Sequence, residues 1–402
     1  MRKRILIAAG VVVVLVALGL FFWARAVLAG SGVRTAVAAQ IGRAVGQPVT
    51  IGGLGVTILP RVTMALSDIT IGQPARITVQ HLNVGTSLGA LLSRRIEHAN
   101  VKIDGARIQL PLPDFTIASS GGSAGGAPVQ IVSIDDISVS HVDIVSGALT
   151  LKNLQGHARA TADRLTFNPI TFGIFGGRAA GSLVLSAGSP PEFSLQGRLD
   201  AVDVKQVMAF AGAPDLVSGT LSGTIDVTGR GATAARVLDT ARGTAQVQVS
   251  DGVVKGLGLV RAVVLATSMR DTSTAQIGST SADEPFSRLG GRFVVAGGSA
   301  TTRDLQFQSK DVTMTADGSI RLDGGAIHLS GPLQLSGALS QQAGSDLVRY
   351  TAQDGRVTLP VTITGSAGSL HVGIDVGSLM KRALTNRAKE ALKKLIPKGP
   401  GA

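Results

Sequence analysis

Apolar residues occupy every second position over much of this chain, a pattern typical of β-strands that bury one face. Leu221, Ile225 and Val227 share one face of a predicted strand, and the neighbouring polar residues Thr224 and Asp226 lie on the other. The same alternation recurs at Ala245, Val247 and Val249, at Val312, Met314, Ala316, Ile320 and Leu322, at Val357, Leu359, Val361 and Ile363, and at Leu370, Val372, Ile374 and Val376. The pattern predicts a mainly β body.

The segment before residue 119 shows the same extended pattern with two short helical interruptions. Strands are predicted from Val49 to Leu59, over 62–71, from Ile77 onward and from Ile96 to Leu112. Helical spacing occurs at Val33, Val37, Ile41 and Val45, and again at Leu88, Leu91 and Leu92. Five Asp-Gly pairs predict turns between strands; they are Asp104-Gly105, Asp251-Gly252, Asp317-Gly318, Asp323-Gly324 and Asp354-Gly355.

An uncharged run from Ile5 to Ala24 follows the cations Arg2, Lys3 and Arg4. Twenty residues of helix span roughly 30 Å, the thickness of a bilayer core. The basic cluster predicts that residues 1–4 stay in the cytoplasm, with the body beyond the membrane. Val27-Leu28-Ala29 also resembles a signal-peptide cleavage site, but the run exceeds the ~7–15 apolar residues usual for such peptides. A retained anchor over 5–24 is therefore the preferred interpretation.

A basic amphipathic helix is predicted over 378–396. Its apolar side carries Leu379, Met380, Ala383, Leu384, Ala388, Ala391, Leu392, Leu395 and Ile396. The basic residues Lys381, Arg382, Lys389, Lys393 and Lys394 lie mostly elsewhere on the helix and are candidates for contact with a membrane surface. Capping the last open edge of the sheet and docking a partner protein are the alternative roles.

The net charge of +12 is concentrated at the two ends of the chain. Residues 1–4 carry three basic groups and residues 381–402 carry seven, whereas the body between them is nearly balanced. This distribution, with one Trp and one Tyr, argues against nucleic-acid binding. The chain has no Cys, which excludes disulfides and thiol chemistry.

Three stretches resemble the AsmA family of bacterial envelope proteins. They are GRAVGQPVTIGGLGVTILPRVTMALSDITIGQP (42–74) with the strand-rich continuation over 76–110, GTLSGTIDVTGRGATAARVLDTARGTAQVQVSDGVVKGLGLVRAV (219–263), and RVTLPVTITGSAGSLHVGIDVGSLMKRALTNRAKEALKKL (356–395). The resemblance implies an elongated, curved, antiparallel-rich sheet with an apolar groove, anchored in the inner membrane with its body in the periplasm. It also implies a role in outer-membrane homeostasis, by carrying or conducting phospholipid.

These observations divide the chain into a cytoplasmic tail (1–4), an anchor (5–24), an N-terminal β region with two short helices (30–118), a Ser/Gly linker (119–128), a β-groove region (129–377) and the terminal helix (378–396). Alternation alone does not distinguish a curved sheet that shelters acyl chains from two sheets that cover each other, and the resemblance favours the groove. Its expected lining includes Ile225, Val227, Val247, Val249, Val312, Met314, Leu359, Val361 and Ile363. The expected partners are the inner membrane, phospholipid acyl chains and an outer-membrane or envelope protein.

Catalytic motifs are weak in this sequence. Gly121-Gly122-Ser123-Ala124-Gly125 matches the serine hydrolase elbow but lies in the Ser/Gly linker. Gly229-Arg230-Gly231-Ala232-Thr233-Ala234 matches a dinucleotide fingerprint, with Asp251 about twenty residues later, but antiparallel strands are expected around it. His141 and Asp143, two apart on one predicted strand face, are interpreted as a surface pair. We therefore expect neither catalysis nor a cofactor or metal. The alternative function is a scaffold or assembly factor for outer-membrane proteins.

Overall fold

The computed structural model describes residues 46–57, 62–86, 95–96, 99–110, 130–131, 133–147, 149–161, 163–210, 215–231, 233–260, 282–342, 351–366 and 369–374, with residues 35, 38–39, 41–42 and 348. This part of the chain is mainly β, as the alternation predicts. Eighteen of its strands belong to an open sheet, two more form a separate pair, and there are few helices.

Twenty strands have defined bounds in the described residues. They are β1 (Val49–Thr57), β2 (Val62–Ile71), β3 (Ile77–Thr86), β4 (Arg95–Ile96), β5 (Ala99–Leu110), β6 (Gln130–Ile131), β7 (Ser133–Ser146), β8 (Leu149–Thr161), β9 (Arg164–Ile174), β10 (Gly177–Ser186), β11 (Glu192–Asp203), β12 (Val217–Arg230), β13 (Arg242–Val254), β14 (Glu284–Ala296), β15 (Ser299–Gln308), β16 (Val312–Arg321), β17 (Ile327–Leu335), β18 (Ala352–Gln353), β19 (Arg356–Ser366) and β20 (Ser369–Ile374). The short helices are α1 (Val204–Phe210), α2 (Ala234–Thr240) and α3 (Gly337–Gln342).

The chain divides into two compact units. The first comprises Met1–Asp200 with Asp226–Thr240, and the second comprises Ala201–Ile225 with Ala241–Ala402. In the first unit, β1, β2, β3 and β5 pair in that order as antiparallel neighbours. Strand β7 joins β5 in parallel, and β8, β9, β10 and β11 then follow as an antiparallel series.

The strands of the second unit also pair mostly with their sequence neighbours. Antiparallel pairing runs from β13 through β14, β15, β16 and β17 to β19, and β20 joins the far side of β19. The intervening β18 forms a two-residue pairing with the start of β19. The register of these pairings places the apolar positions of each strand on the same side of the sheet as those of its neighbours.

Three of the five predicted Asp-Gly turns are wrong. Asp104-Gly105, Asp251-Gly252 and Asp317-Gly318 lie inside β5, β13 and β16. Gly105 has φ +67° and Asp251 has φ +51°, which is the left-handed conformation, inside strands whose pairing register does not shift at these residues. A tight hairpin turn also needs residues with positive φ, so the dipeptide alone does not distinguish a turn from such a position inside a strand. Asp323-Gly324 and Asp354-Gly355 do lie between strands.

Several predicted elements lie outside the described residues. These are the anchor over 5–24, the linker over 119–128, the helix at residues 88–92 and the terminal helix over 378–396 with Lys381, Arg382, Lys389, Lys393 and Lys394. Of the first helical stripe, Ile41 is described, and it is helical and buried. None of the helices in the described residues has the length and hydropathy that a membrane crossing requires.

Candidate functional site

One face of the first unit is apolar across its paired strands. Cross-strand pairing links Met64 to Val84, Val84 to Val101, and Val101 to Ile137. The same row continues through Ala158, Phe167, Leu183 and Leu195 on β8 to β11. Parallel rows of this kind form the apolar face of the first unit, and most residues on it alternate with polar or exposed neighbours along their strands.

Burial of this apolar face decreases from β2 to β11. Met64, Val84 and Val101 are at most 1% exposed, and they belong to a buried cluster that includes Ile41. Ala38 packs against the same cluster, so helical residues cover this end of the face. Phe167, Leu183 and Leu195 on β9, β10 and β11 are only half-buried. Strands β9 to β11 therefore form the more accessible part of the apolar face.

Two glycines lie in part of the accessible region. Gly181 on β10 pairs directly with Gly197 on β11, and Ile170 on β9 is the other neighbour of Gly181. Leu183 and Leu195 form the adjacent cross-strand pair on one side, and Ala179 and Leu199 form the pair on the other. Gly181 and Gly197 therefore contribute no side chain between these two apolar pairs.

The second unit has its own apolar face. A cross-strand row runs from Val249 through Leu289, Phe307, Met314 and Leu333 to Leu359. Leu333 is fully buried, and Phe307 lies 5.6 Å from Phe286 between ring centroids. Among the described residues, the sheet is accompanied only by the two-stranded β4–β6 pair.

The nine predicted lining residues separate into two groups. Val249, Val312, Met314, Leu359, Val361 and Ile363 are each less than 10% exposed. Ile225, Val227 and Val247 are half-buried, between exposed neighbours on their strands. Alternation identified which side chains point away from water, but it did not distinguish those that pack in protein from those that a ligand could reach.

The opposite face of the first unit is polar and carries two His–Asp pairs. The Nδ1 atom of His141 lies 2.7 Å from Oδ1 of Asp104, and the Ser140 hydroxyl donates to the same oxygen at 2.6 Å. These hydrogen bonds, that from His141 first, hold the pKa of Asp104 below its ordinary value of 3.8. His157 pairs with Asp136 at 3.0 Å. All four side chains are substantially exposed.

His141 bonds to Asp104, and no hydrogen bond links it to Asp143, the surface partner that the sequence suggested. His141 has φ +53° and lies at a register shift between β7 and β8. Asp143 instead accepts a hydrogen bond from the backbone N–H of Asn153. Within the described residues, no group of three or more His, Asp or Glu side chains is arranged to hold a metal ion.

The dinucleotide fingerprint at residues 229–234 does not open a parallel βαβ unit. In the second unit, Lys255 N–H donates to Leu216 O and Val253 N–H donates to the Ser218 hydroxyl, so β12 and β13 run antiparallel. Helix α2, which lies between these strands in sequence, is only seven residues long. The local geometry therefore lacks the parallel crossover that this motif needs.

Thr86 and Glu284 are polar residues on the apolar faces that were not predicted from the sequence. Thr86 ends β3 with 2% exposure and continues the buried positions Leu82 and Val84. Glu284 begins β14 with 4% exposure, two residues before the buried Phe286. In both cases the sequence signal for such a residue is a polar side chain at a position where the alternation along the strand predicts a buried apolar one.

Glu284 is paired despite its burial. Its Oε2 atom accepts a hydrogen bond of 3.3 Å from the backbone N–H of Val260. Burial raises the pKa of the Glu284 carboxyl above its ordinary value of 4.5, and the backbone N–H groups of Val260 and Leu259 oppose this shift. Leu259 is fully buried. Glu284 therefore holds the segment that follows β13 against the start of β14.

Comparison with known proteins identifies one family. The model of the AsmA family matches residues 122–305. No curated protein and no solved structure gives a significant match. The matched region includes the accessible strands β9 to β11 and the half-buried residues Ile225, Val227 and Val247. The match to the AsmA family model covers residues 122–305, somewhat less than half of the chain.

Proposed function

We propose that this chain is a non-enzymatic, envelope-associated protein that carries or conducts phospholipid along the apolar faces of its strands. The proposal extends the AsmA-family match, which supports an envelope-related role. It assigns to the apolar faces the task of shielding acyl chains from water. In this proposal the cargo is recognised collectively, by many equivalent aliphatic side chains.

The main support for this proposal is the half-buried apolar surface on β9 to β11 of the first unit. Leu183 and Leu195 pair across strands there and stay partly exposed, as do Phe167 and Leu199. A soluble sheet usually turns polar residues toward water on its uncovered face. Persistent apolar positions with partial exposure therefore favour a surface that receives an apolar ligand.

The binding energy expected for an acyl chain on this surface allows the lipid to move from strand to strand. Each methylene removed from water contributes about 0.8 kcal/mol, so a few methylenes on each strand give appreciable retention. Neighbouring strands lie about 4.8 Å apart and offer similar side chains, so moving a tail by one strand exchanges one set of contacts for a similar set. Such a surface holds a tail without requiring a single deep binding site.

The remaining parts of the proposal concern location. We assign residues 5–24 to an inner-membrane anchor, with residues 1–4 in the cytoplasm and the body in the periplasm. The basic residues Lys381, Arg382, Lys389, Lys393 and Lys394 are assigned to contact with anionic lipid head groups. Support for these assignments comes from hydropathy and charge in the sequence.

Photo-crosslinking in intact cells tests the proposal. A photoreactive residue is placed in turn at Ile225, Asp226, Val227 and Thr228 of the full-length chain. Ile225 and Val227 are half-buried, whereas Asp226 and Thr228 are exposed on the other face. We expect phospholipid adducts at 225 and 227 and none at 226 and 228.

Two results would contradict this function. Equal lipid labelling at all four positions would show non-specific contact with a membrane. Protein adducts without lipid at 225 and 227, especially to outer-membrane barrel proteins, would favour the scaffold function instead.

A further inference from the structure

Strand β20 is an edge of the sheet in the second unit. Among the described strands it pairs only with β19, from Val361 opposite Ile374 to Ser366 opposite Ser369. The other side of an edge strand presents a row of backbone N–H and C=O groups that need hydrogen-bond partners. Another extended strand fits this alternating row of donors and acceptors, because it can lie alongside at the ~4.8 Å spacing of a sheet.

The features that usually protect an edge strand from pairing are missing from β20. Its sequence, SLHVGI, contains no proline and no Lys, Arg, Asp or Glu. The register with β19 does not shift along the whole pairing, so no bulge twists this edge away. Six residues is also an ordinary strand length. The edge of β20 is therefore suited to the addition of a further strand.

The apolar side of β20 is less covered than that of its neighbour. Val361 and Ile363 on β19 are 2% and 7% exposed. Their cross-strand partners Ile374 and Val372 on β20 are only half-buried, and so is Leu370. Within the described strands, β19 is paired on both sides and β20 on one. A strand added beyond β20 would cover these side chains.

A second copy of β20 has a complementary sequence. When two copies run antiparallel with Val372 opposite its own counterpart, Leu370 of each copy lies opposite Ile374 of the other. Directly opposite residues share a face, so the three apolar side chains of each copy meet apolar partners. His371 then lies opposite Gly373, which has no side chain to obstruct the imidazole. No like charges meet across the pair at neutral pH, because the strand carries none.

Other arrangements of two copies fit less well. A register shifted by two residues places His371 opposite its own counterpart and leaves Ile374 outside the pairing. Pairing of β20 with a different strand of the second copy would be head-to-tail, so it would leave a free edge on each end and build an open-ended chain of molecules. Pairing of β20 with β20 uses the same edge of both copies and closes after two.

We propose that β20 pairs with β20 of a second copy of this chain, antiparallel and with Val372 opposite Val372, to form a symmetric dimer. The twofold axis then runs perpendicular to the sheet, so the apolar faces of the two copies lie on the same side and join across the axis. The pairing covers only residues 370–374 of each copy, so we expect a weak dimer with a dissociation constant on the order of 10 µM. The inference goes beyond the proposed function and does not require bound lipid.

Single cysteines test the register, because the chain contains no native cysteine. The full-length chain carries Val372→Cys or, as the matched control, His371→Cys on the other side of the same strand. Each variant is oxidised in isolated membranes, and the disulfide dimer is measured on non-reducing gels. Directly opposite residues of an antiparallel pair have Cα atoms about 4.5–5.5 Å apart, which is within disulfide range. We expect Val372→Cys to form at least about tenfold more disulfide dimer than His371→Cys.

A charge at the axis tests whether this edge holds the two copies together. Val372→Lys places two ammonium groups opposite each other, whereas Gln306→Lys adds the same charge at an exposed residue of β15, which is paired on both sides. Self-association of the full-length chain in detergent is measured by sedimentation equilibrium. We expect Val372→Lys to weaken the dimer about tenfold or more and Gln306→Lys to leave it unchanged. Val372 is half-buried, so the lysine can reach water and the melting temperature should stay close to that of the wild type.

A wild-type chain that stays monomeric well above the expected dissociation constant would overturn the inference. Disulfide formation by His371→Cys in place of Val372→Cys would also overturn it, since the proposed register keeps the two His371 positions apart. A dimer that Val372→Lys leaves intact would assign self-association to another part of the chain and would overturn it too. None of these results bears on lipid binding, which the photo-crosslinking experiment measures separately.

Discussion

A charge placed on the accessible apolar face should block lipid while sparing the fold. Val227 is half-buried on β12, so a glutamate at this position can turn its carboxylate toward water. We therefore expect Val227→Glu to lower the free energy of unfolding by only about 1 kcal/mol. Thr228→Glu is the matched control, because Thr228 is exposed on the opposite face of the same strand.

The size of the effect on lipid follows from methylene burial. A carboxylate that keeps its hydration shell should displace about three methylenes of an acyl chain from the strand surface. At about 0.8 kcal/mol per methylene, the loss is roughly 2.4 kcal/mol. Since each 1.4 kcal/mol is tenfold in affinity, lipid occupancy at this position should fall by about 50-fold.

The assay counts phospholipid that copurifies with the full-length chain after extensive detergent washing. Lipid around the predicted anchor contributes equally to all variants and cancels in the comparison. Val227→Glu should lose lipid relative to wild type, whereas Thr228→Glu should retain it. Equal lipid content in the two variants, with matching circular dichroism, would refute the assignment of this strand face to acyl chains.

Three further predictions concern stability. Leu333→Ala should lower the free energy of unfolding by about 3 kcal/mol, against about 1 kcal/mol for the half-buried Ile225→Ala, as measured in urea. Gly318→Ala should cost at least about 2 kcal/mol, because φ is +147° inside a strand and a methyl group would meet the neighbouring backbone; Gly297→Ala, in an open turn, should cost less in the same titration. The melting temperature of Glu284→Gln should rise relative to that of the wild type as the pH increases above 4.5. Burial raises the pKa of Glu284, so only the wild type must then ionise a buried carboxyl in order to stay folded. A difference in melting temperature that does not depend on pH would contradict this assignment.

The strand faces could be predicted from sequence because the side-chain period of a strand is fixed at two. Ile225 and Val227 were assigned to one face by alternation, and the structure places both in the half-buried set between exposed neighbours. Leu359, Val361 and Ile363 follow the same rule on β19. The face on which a residue lies can be predicted locally, because it depends only on the position of the residue along its own strand.

Bulges set the limit of that inference. His141 has a positive φ inside β7, and the residues on either side of it no longer follow the period of two. Its partner Asp104 lies on β5, which pairs with β7 in parallel. A long stretch of chain separates these two strands in sequence. No local pattern encodes such a contact, because it depends on strand order and on where each bulge shifts the register.

Accessible positions on an apolar face are the ones that can report on a ligand. Val361 was predicted to line a groove as well as Val247, and both point away from water. However, Val361 is 2% exposed, so a charge placed there would be buried without a partner and would cost several kcal/mol of folding stability. Loss of lipid in a Val361→Glu variant would therefore not separate a blocked surface from an unfolded one. Val247 is half-buried, and lipid loss in Val247→Glu with an unchanged melting temperature would identify the surface itself as the site.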